Sequence, residues 1–305
     1  MLQTQTLTTL TTQFTLFNRL PANFEKLLEE YYVPLAEWIK AQRNPDETLI
    51  VGINGAQGTG KSTLADFLAL HLHTDPGIRV ATFSIDDLYL TKEERKILSN
   101  RVHPLLATRG VPGTHDIQLG IDVIRSLQNL KAGEGYRIPV FDKAKDDRAP
   151  AENWVEIEGP IDVIIIEGWC VGSFPDSELL LHDPINELEE KADRRGIWRQ
   201  YVNAQLENEY QKLFDFLDLL IFMQVPDFET VFDWRLEQET KLADISNDET
   251  SEIMGPAEIA RFIQLFQRIT ELNLKIMPSL ADCVIKLNKE HNVDDLIYQR
   301  QVFDE

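Results

Sequence analysis

Runs of consecutive apolar residues alternate with amphipathic stretches along most of the chain. The apolar runs predict buried β-strands at residues 48–54, 78–84, 161–167, 219–225 and 282–287. Strands without polar alternation are typical of a sheet that is covered on both faces. Apolar residues at helical spacing predict helices at residues 61–73, 116–130, 228–242 and 257–273. Strands that alternate with helices predict an α/β fold with a parallel sheet and helices on both of its faces.

The first 45 residues differ from the rest because they contain no strand pattern. Residues 21–43 show helical periodicity, which Pro34 is expected to break or kink. Residues 1–20 predict only a short polar extension. We therefore divide the chain into an N-terminal helical extension, residues 1–45, and one α/β domain, residues 46–305. Two long segments, about 85–155 and 170–212, are insertions in that domain.

The sequence carries 51 acidic and 30 basic residues, so its net charge is −21. Binding a polyanion requires surplus lysine and arginine, so we expect neither nucleic acid nor an anionic membrane as a partner. The apolar runs are too short to cross a bilayer, and the N-terminus lacks the composition of a targeting peptide. Two cysteines give no disulfide framework, and we take the cytoplasm as the default location.

The sequence Gly55-x4-Gly60-Lys61-Ser62 is a complete phosphate-loop pattern between a predicted strand and a predicted helix. Backbone N–H groups of such a loop surround phosphate oxygens at the positive end of the following helix. Lys61 is expected to act in catalysis by reaching the β- and γ-phosphates, and the Ser62 hydroxyl to hold Mg²⁺. The predicted nucleotide contacts are Gly55, Ala56, Gln57, Gly58, Thr59, Gly60, Lys61, Ser62 and Thr63.

The segment after the last predicted strand bears on which nucleotide is bound. Guanine-binding proteins commonly use Asn-Lys-x-Asp, and the closest match here is NKEH at residues 288–291, where histidine replaces the carboxylate residue. We therefore predict ATP rather than GTP. Lys289 and His291 are candidates to flank the adenine, although a solvated turn explains this segment equally well.

Three acidic residues follow predicted strands at the sheet edge where the phosphate loop lies. Asp86 and Asp87 come directly after residues 78–84, and Glu167 ends the strand at residues 161–167. Adjacent residues of an extended chain point in opposite directions, so one aspartate is expected to face the nucleotide as a general base. A helix-capping pair is the alternative. Glu167 closes an apolar strand and is the candidate carboxylate for Mg²⁺.

Three clusters of basic residues lie in the two insertions. We expect them to grip anionic groups, because an arginine binds a carboxylate or phosphate through two parallel hydrogen bonds. The alternative is ordinary surface ion pairing. The last cluster lies in a segment, about residues 190–212, that we interpret as a lid whose Arg195 reaches the nucleotide. The clusters are Arg101, His103, Arg109 and His115; Lys143, Lys145 and Arg148; and Arg194, Arg195 and Arg199.

Seven short motifs, in this order, resemble the D-glycerate 3-kinase family of P-loop kinases, which is related to phosphoribulokinase, uridine kinase and pantothenate kinase. The resemblance covers about residues 48–293, and the motifs are GINGAQGTGKSTL, FSIDDLYLT, TRGVPGTHD, IPVFDKAKDDRAP, IIIEGWCVG, VFDWRLEQE and NKEHNV. The resemblance implies a parallel core of about five strands, ATP and Mg²⁺, and Asp86 as the base. It makes residues 85–155 an acceptor-side insertion. The predicted acceptor-binding residues are Asp87, Tyr89, Arg109, His115, Asp116, Lys143 and Arg148.

These features favour an ATP-dependent kinase that phosphorylates a hydroxyl of a small-molecule acceptor. The resemblance implies D-glycerate, giving 3-phosphoglycerate, as the favoured acceptor, and the basic clusters fit it, because its carboxylate needs a cation beside an already anionic nucleotide. Tyr89, Phe141 and Trp169 could stack on a nucleoside, so a nucleoside, a pantothenate-like compound or a sugar is an alternative acceptor. A second alternative, of a different class, is a nucleotide-regulated binding protein or switch.

Overall fold

The computed structural model describes residues 2–245 and 255–300, and three helices precede its first strand. The strands are β1 (Leu49–Gly55), β2 (Val80–Ser84), β3 (Gly135–Ile138), β4 (Phe141–Asp142), β5 (Asp147–Arg148), β6 (Val155–Glu158), β7 (Val163–Gly168), β8 (Leu219–Gln224), β9 (Cys283–Leu287) and β10 (Val293–Tyr298). The helices are α1 (Leu2–Phe17), α2 (Phe24–Leu27), α3 (Val33–Ala41), α4 (Lys61–Leu72), α5 (Lys92–Arg101), α6 (Ile117–Gln128), α7 (Glu187–Ala192), α8 (Ile197–Gln205), α9 (Gln211–Phe214), α10 (Phe228–Ile245) and α11 (Pro256–Leu280).

The main sheet has six strands in the order β10-β9-β8-β1-β7-β2. The last five of these are parallel to one another, and β10 runs antiparallel to β9 at one edge. The five parallel strands match the five predicted strands to within two residues at each end. The strand β10 was not predicted, because Asp294 and Asp295 interrupt its apolar residues. The smaller pairs β3–β6 and β4–β5 lie in the insertion at residues 85–155.

Two apolar cores cover the two faces of the main sheet. Successive residues of β1 alternate between them: Val51 and Ile53 belong to the core beneath α3 and α4, whereas Ile50 belongs to the core beneath α6, α8 and α11. The strand β7 alternates in the same way. Because both faces are buried, every position of these strands is apolar until the carboxyl end, where polar residues first appear.

The N-terminal segment packs onto the first of these cores. Residues 2–17 form α1 rather than an irregular polar extension, and Phe14 meets Phe67 of α4 edge-on at 5.2 Å between ring centroids. Threonine has a low intrinsic helix propensity, so the formation of this threonine-rich helix depends on its packing against the rest of the protein. Pro34 lies in the first turn of α3, shortly after a π-helical turn at Leu28–Tyr32. The helix widens at this turn, just before a proline that has no N–H to donate to the helix. None of the helices in the described ranges has the length and apolar character that crossing a membrane requires.

The carboxyl ends of β1, β2 and β7 meet at one edge of the sheet. Ser84 is paired with Glu167, and Ile53 is paired with Glu167 on the other side. The phosphate loop after β1 and the 3₁₀ turn at Ile85–Leu88 after β2 therefore flank the end of β7. This arrangement brings together the three segments in which the sequence places its phosphate-binding and acidic residues.

Candidate nucleotide and acceptor site

The phosphate loop has the backbone shape that its glycines allow. Gly58 and Gly60 have φ angles of 82° and 86°, in the left-handed region that favours glycine. A Cβ atom at Gly60 would meet nothing within 4 Å, so this side of the loop is open, whereas one at Gly58 would lie 3.1 Å from Trp234. The helix α4 starts at Lys61, directly after the loop, and so directs its first N–H groups towards the loop.

Lys61 closes back over the phosphate loop. Its Nζ donates a hydrogen bond to the carbonyl oxygen of Ala56 at 2.9 Å. Burial lowers the pKa of Lys61, and the carboxylates of Glu167 and Asp86 oppose that shift. A desolvated ammonium group beside an open loop can interact strongly with an arriving anion, because little water screens it.

Ser62 and Glu167 provide oxygen atoms suited to Mg²⁺. The Ser62 hydroxyl donates to Glu167 Oε1 at 3.0 Å, across the start of α4 and the end of β7. Mg²⁺ bound to a nucleotide typically uses one or two protein oxygens, with phosphates and waters completing its shell. The described residues contain no cluster of three or more histidine, cysteine, aspartate or glutamate side chains that could hold a metal alone. The pair therefore fits a metal ion brought in with a nucleotide.

Asp86 has both carboxylate oxygens engaged. Its Oδ1 accepts from the Tyr89 hydroxyl at 2.8 Å, and its Oδ2 accepts from Lys143 Nζ at 2.9 Å. Burial raises the pKa of Asp86, but the charge and hydrogen bond of Lys143, with the Tyr89 hydroxyl, outweigh burial and leave the pKa below its usual value. Asp86 is therefore ionised at neutral pH and able to accept a proton.

Asp87 points away from Asp86 and organises the local backbone. Its carboxylate accepts from the backbone N–H of Ser84 at 3.1 Å and from that of Phe141 at 3.1 Å. The first of these bonds belongs to a capping box around the 3₁₀ turn. Burial raises the pKa of Asp87. Of the two aspartates, only Asp86 lines the cleft described next.

A cleft of about 250 Å³ opens at this edge of the sheet. Four of its side chains are cationic, namely Lys61, Arg109, Lys143 and Arg235, whereas two are carboxylates, Asp86 and Glu167. The local charge is thus opposite in sign to that of the whole protein. The remaining lining residues are Gln57, Gly58, Ser62, Ser84, Tyr89, Gly168, Trp169, Phe262 and Phe266.

The acceptor-side wall of the cleft is built around Tyr89. Its ring stacks on His115 at 4.4 Å and meets Phe141 edge-on at 5.2 Å between centroids. Arg109 lies 5.5 Å from the centroid of the Phe141 ring and pairs with Asp146. Trp169 donates to the carbonyl of Gly110 at 2.8 Å and so ties the Arg109 loop to the end of β7.

Besides Asp87, three predicted acceptor-binding residues do not line the cleft and lie behind this wall. His115 Nδ1 is hydrogen-bonded to the Tyr210 hydroxyl. Asp116 caps α6 and pairs with Arg148 at 3.2 Å, and Arg148 also donates to the Tyr89 carbonyl at 3.1 Å. These residues hold Tyr89 in position through its ring and its backbone.

The predicted nucleotide contacts outside the phosphate loop, Arg195, Lys289 and His291, also lie outside the cleft. Trp234 connects the segment at residues 288–291 with the phosphate loop, since it donates to the Lys289 carbonyl at 3.0 Å, stacks on His291 at 3.8 Å and packs against Gly58. Lys289 also borders an open depression of about 420 Å³ beyond β8 and β9. Arg195 is exposed at the turn before α8, whose Trp198 is buried in the core.

Sequence reasoning missed several residues around the cleft. Arg235, Phe262 and Phe266 line it from α10 and α11. Arg235 lies within the motif VFDWRLEQE, and this was its only signal in the sequence. Asp146 and the fully buried Arg95 were missed too, although they hold the loop that carries Lys143.

We predict that His115 makes the stability of the protein depend on pH. Burial lowers the pKa of His115 to about 4 from 6.5. Below pH 6.5 His115 takes up a proton in the unfolded chain but stays neutral in the folded protein until about pH 4. The contribution of His115 to stability is therefore present above pH 6.5 and is lost as the pH falls towards 4. Between pH 7 and 5, His115→Gln should remove about 2 kcal/mol of the pH-dependent loss measured by urea unfolding.

Asp146 is predicted to be a major contributor to stability in the acceptor-side insertion. It accepts from the fully buried Arg95 at 2.6 Å, and its own φ is 53°. Asp146→Ala would leave Arg95 buried without its counter-ion and would strain the backbone, which should lower the free energy of unfolding by about 2–4 kcal/mol. Urea unfolding measures this. Lys145→Met, which breaks an exposed ion pair with Asp142, should cost less than about 1 kcal/mol. Equal losses in both variants would contradict the prediction.

The chain is similar to known kinases both in sequence and in fold. No protein-family model matches the chain. The chain is 33% identical to the uncharacterized kinase mug58 of Schizosaccharomyces pombe, over 68% of this chain and 76% of that protein. It is 30% identical to the chloroplastic D-glycerate 3-kinase of Arabidopsis thaliana over 75% of this chain, but it spans only 52% of that relative. The solved structure of D-glycerate 3-kinase from Cryptococcus neoformans matches with a TM-score of 0.70 and 26% identity, covering 88% of this chain and 96% of that one.

The parallel sheet, the phosphate loop after β1 and the carboxylates after β2 and β7 define a P-loop protein of the nucleotide-binding class. The solved structure that shares this fold extends the likeness through most of the chain. The chain belongs to the D-glycerate 3-kinase family of P-loop kinases. The resemblance and the fold class predicted from the sequence are thereby confirmed.

Proposed function

We propose that the protein is an ATP-dependent kinase that phosphorylates D-glycerate to 3-phosphoglycerate. The observation that carries the proposal is that Lys61, Ser62, Asp86, Glu167 and Arg109 all line one cleft. A phosphate-binding loop, a metal-binding pair, a base and an acceptor-side cation are the parts that phosphoryl transfer to a hydroxyl requires. Relatives named D-glycerate 3-kinase support the same activity.

On the donor side, the phosphate loop and α4 would bind the triphosphate of ATP. Lys61 would leave the Ala56 carbonyl for the β- and γ-phosphates, and Arg235 would approach the same phosphates from α10. Ser62 and Glu167 would hold Mg²⁺, which when bound neutralises charge on the phosphate oxygens. Lys289 and His291, connected to Gly58 through Trp234, would border the adenine.

On the acceptor side, Asp86 would take the proton of the attacking hydroxyl. The carboxylate is ionised and lies in the same cleft as Lys61, which supports a reaction centre that the proton acceptor and the phosphate-binding cation would both face. Catalysis would then consist mainly of positioning and charge stabilisation, as in other phosphoryl transfers. Asp87, which caps the preceding turn, would support Asp86 without contacting the acceptor.

The size and charge of the cleft support a small anionic acceptor. Its volume of about 250 Å³ is small for a site that must hold phosphates and an acceptor together. Arg109 and Lys143 line the acceptor side, and a three-carbon hydroxy acid offers them one carboxylate while presenting a hydroxyl to Asp86. His115, Asp116 and Arg148 would act on the acceptor only through Tyr89.

The decisive experiment is acceptor-dependent release of ADP by the purified chain with MgATP. D-Glycerate should stimulate ADP release, and the product should be 3-phosphoglycerate. The panel should include L-glycerate, glycerol, pantothenate, uridine and a sugar. If only uridine or pantothenate stimulated ADP release, that compound would replace D-glycerate as the proposed acceptor. Steady ATP hydrolysis that no acceptor stimulates would instead support a nucleotide-regulated switch.

A further inference from the structure

The proposed base is masked in the structure by a neighbouring cation. Lys143 Nζ donates a hydrogen bond to Asp86 Oδ2 at 2.9 Å, and the Tyr89 hydroxyl donates one to Oδ1 at 2.8 Å. The charge and hydrogen bond of Lys143 stabilise the ionised form of Asp86, so Asp86 is a weaker proton acceptor while Lys143 is bound to it. Departure of either partner would therefore make Asp86 a stronger proton acceptor for the hydroxyl of the acceptor.

Of the two partners, Lys143 is the one that can leave. Tyr89 is almost fully buried and held between His115 and Phe141. The Lys143 side chain keeps 64% of its surface exposed. An ion pair with so exposed a partner is held weakly, so a competing anion can replace it.

The backbone beneath Lys143 is fixed, so only its side chain needs to move. Lys143 begins the turn that joins the two-residue strands β4 and β5. On one side of the turn, the backbone N–H of Phe141 is bound to Asp87. On the other side, Asp146 is bound to the fully buried Arg95 through its carboxylate and its carbonyl oxygen. The ammonium group can therefore pivot within the cleft while the turn stays in place.

A carboxylate on the acceptor would give Lys143 a second place to bind. Arg109 lines the same cleft, and its pairing with Asp146 fixes the position of its guanidinium group, which is the proposed contact for an anionic acceptor. Lys143 lines that cleft as well. An acceptor held by Arg109 would thus place its carboxylate in the cleft that the Lys143 side chain also faces.

We propose that Lys143 is a carboxylate-sensing gate on the general base: the carboxylate of the acceptor draws Lys143 away from Asp86 and so frees Asp86 Oδ2 for the acceptor hydroxyl. The inference rests on the proposed function and deepens it. With the gate open, the hydroxyl oxygen attacks the γ-phosphorus of ATP and its proton passes to Asp86 Oδ2. The bond from the γ-phosphorus to the β,γ-bridging oxygen breaks, and ADP leaves with that electron pair.

The gate selects acceptors by turnover as well as by binding. An acceptor without a carboxylate leaves Lys143 on Asp86, so it reacts slowly even at saturation. Removing Lys143 should therefore speed up a neutral acceptor. A residue that only binds the acceptor, or only stabilises the fold, cannot have this effect, because its loss would lower turnover or leave it unchanged.

The test compares D-glycerate with D-glyceramide, in which a carboxamide replaces the carboxylate, in wild type and Lys143→Met. We expect Lys143→Met to raise kcat for D-glyceramide about fivefold. This factor corresponds to the upper end of the interaction energies of exposed ion pairs. The same variant should raise KM for D-glycerate. A crystal structure of the wild type with D-glycerate should place Lys143 Nζ on the acceptor carboxylate and away from Asp86.

Lys145→Met is the matched control, since Lys145 lies on the same turn and pairs with Asp142 outside the cleft. It should change neither kcat nor KM for either acceptor. An unchanged or lower kcat of Lys143→Met with D-glyceramide would overturn the gate while leaving the kinase proposal intact. Wild type that releases no ADP in response to D-glycerate would overturn both.

Discussion

Asp86→Asn is expected to lower kcat with D-glycerate by about 10²–10⁴ while leaving the KM for ATP near its wild-type value. The amide keeps the size of the side chain but cannot accept a proton. The phosphate loop and Lys61 make no hydrogen bond to Asp86, so the donor site should be retained. Steady-state kinetics over a range of ATP and acceptor concentrations separate the two effects.

Asp87→Asn is the matched control, because it makes the same change one residue along the chain. The carboxylate of Asp87 accepts two backbone N–H groups, and an amide has one oxygen for them. This variant should lose about 1–2 kcal/mol of stability and keep kcat within about threefold of wild type. If Asp87→Asn lost turnover and Asp86→Asn kept it, the base would have to be assigned to Asp87.

The sheet edge was predictable because its signals are local. Each parallel strand is a short apolar run, and topology alone brings the ends of β1, β2 and β7 together. Glu167 and Asp86 could therefore be placed near the phosphate loop from the sequence. The choice between Asp86 and Asp87 could not, since it depends on a 3₁₀ turn in which the second aspartate caps the backbone instead of continuing a strand.

The acceptor-side wall could not be predicted because its contacts join residues far apart in the sequence. Arg95 and Asp146 are separated by 51 positions, and nothing in either segment alone indicates a buried ion pair. His115 and Tyr210 are separated by 95 positions. The basic clusters were visible in the sequence, but only the fold distinguishes cations that line the cleft, such as Arg109, from cations that support it, such as Arg148.

The cleft also explains how a protein with a net charge of −21 can bind a polyanion such as ATP. Four cationic side chains face the cleft, whereas carboxylates more than a Debye length away, about 8 Å at physiological salt, are largely screened. The charge that matters is therefore local. This leads to an expectation for Lys61, the cation whose pKa burial lowers.

Lys61→Met is expected to lower kcat/KM for ATP by about 10³ or more, because a cation that balances the transferring phosphoryl group is lost. Its effect on stability should be small. Methionine removes a desolvated charge, which favours folding, and leaves the Ala56 carbonyl without its donor, which opposes folding. Thermal unfolding of the ligand-free variant should therefore give a Tm within a few degrees of wild type.

The same variant should lose most of the stabilisation that MgATP gives the wild type. A ligand at 100 times its Kd stabilises a protein by about 2.7 kcal/mol, so the rise in Tm reports directly on binding. Lys275→Met, at an exposed position of α11 outside the cleft, should keep both the turnover and the MgATP-induced rise in Tm. A Lys61→Met protein that kept wild-type turnover would show that the transferring phosphate does not meet Lys61, and the reaction centre would have to lie elsewhere in the cleft.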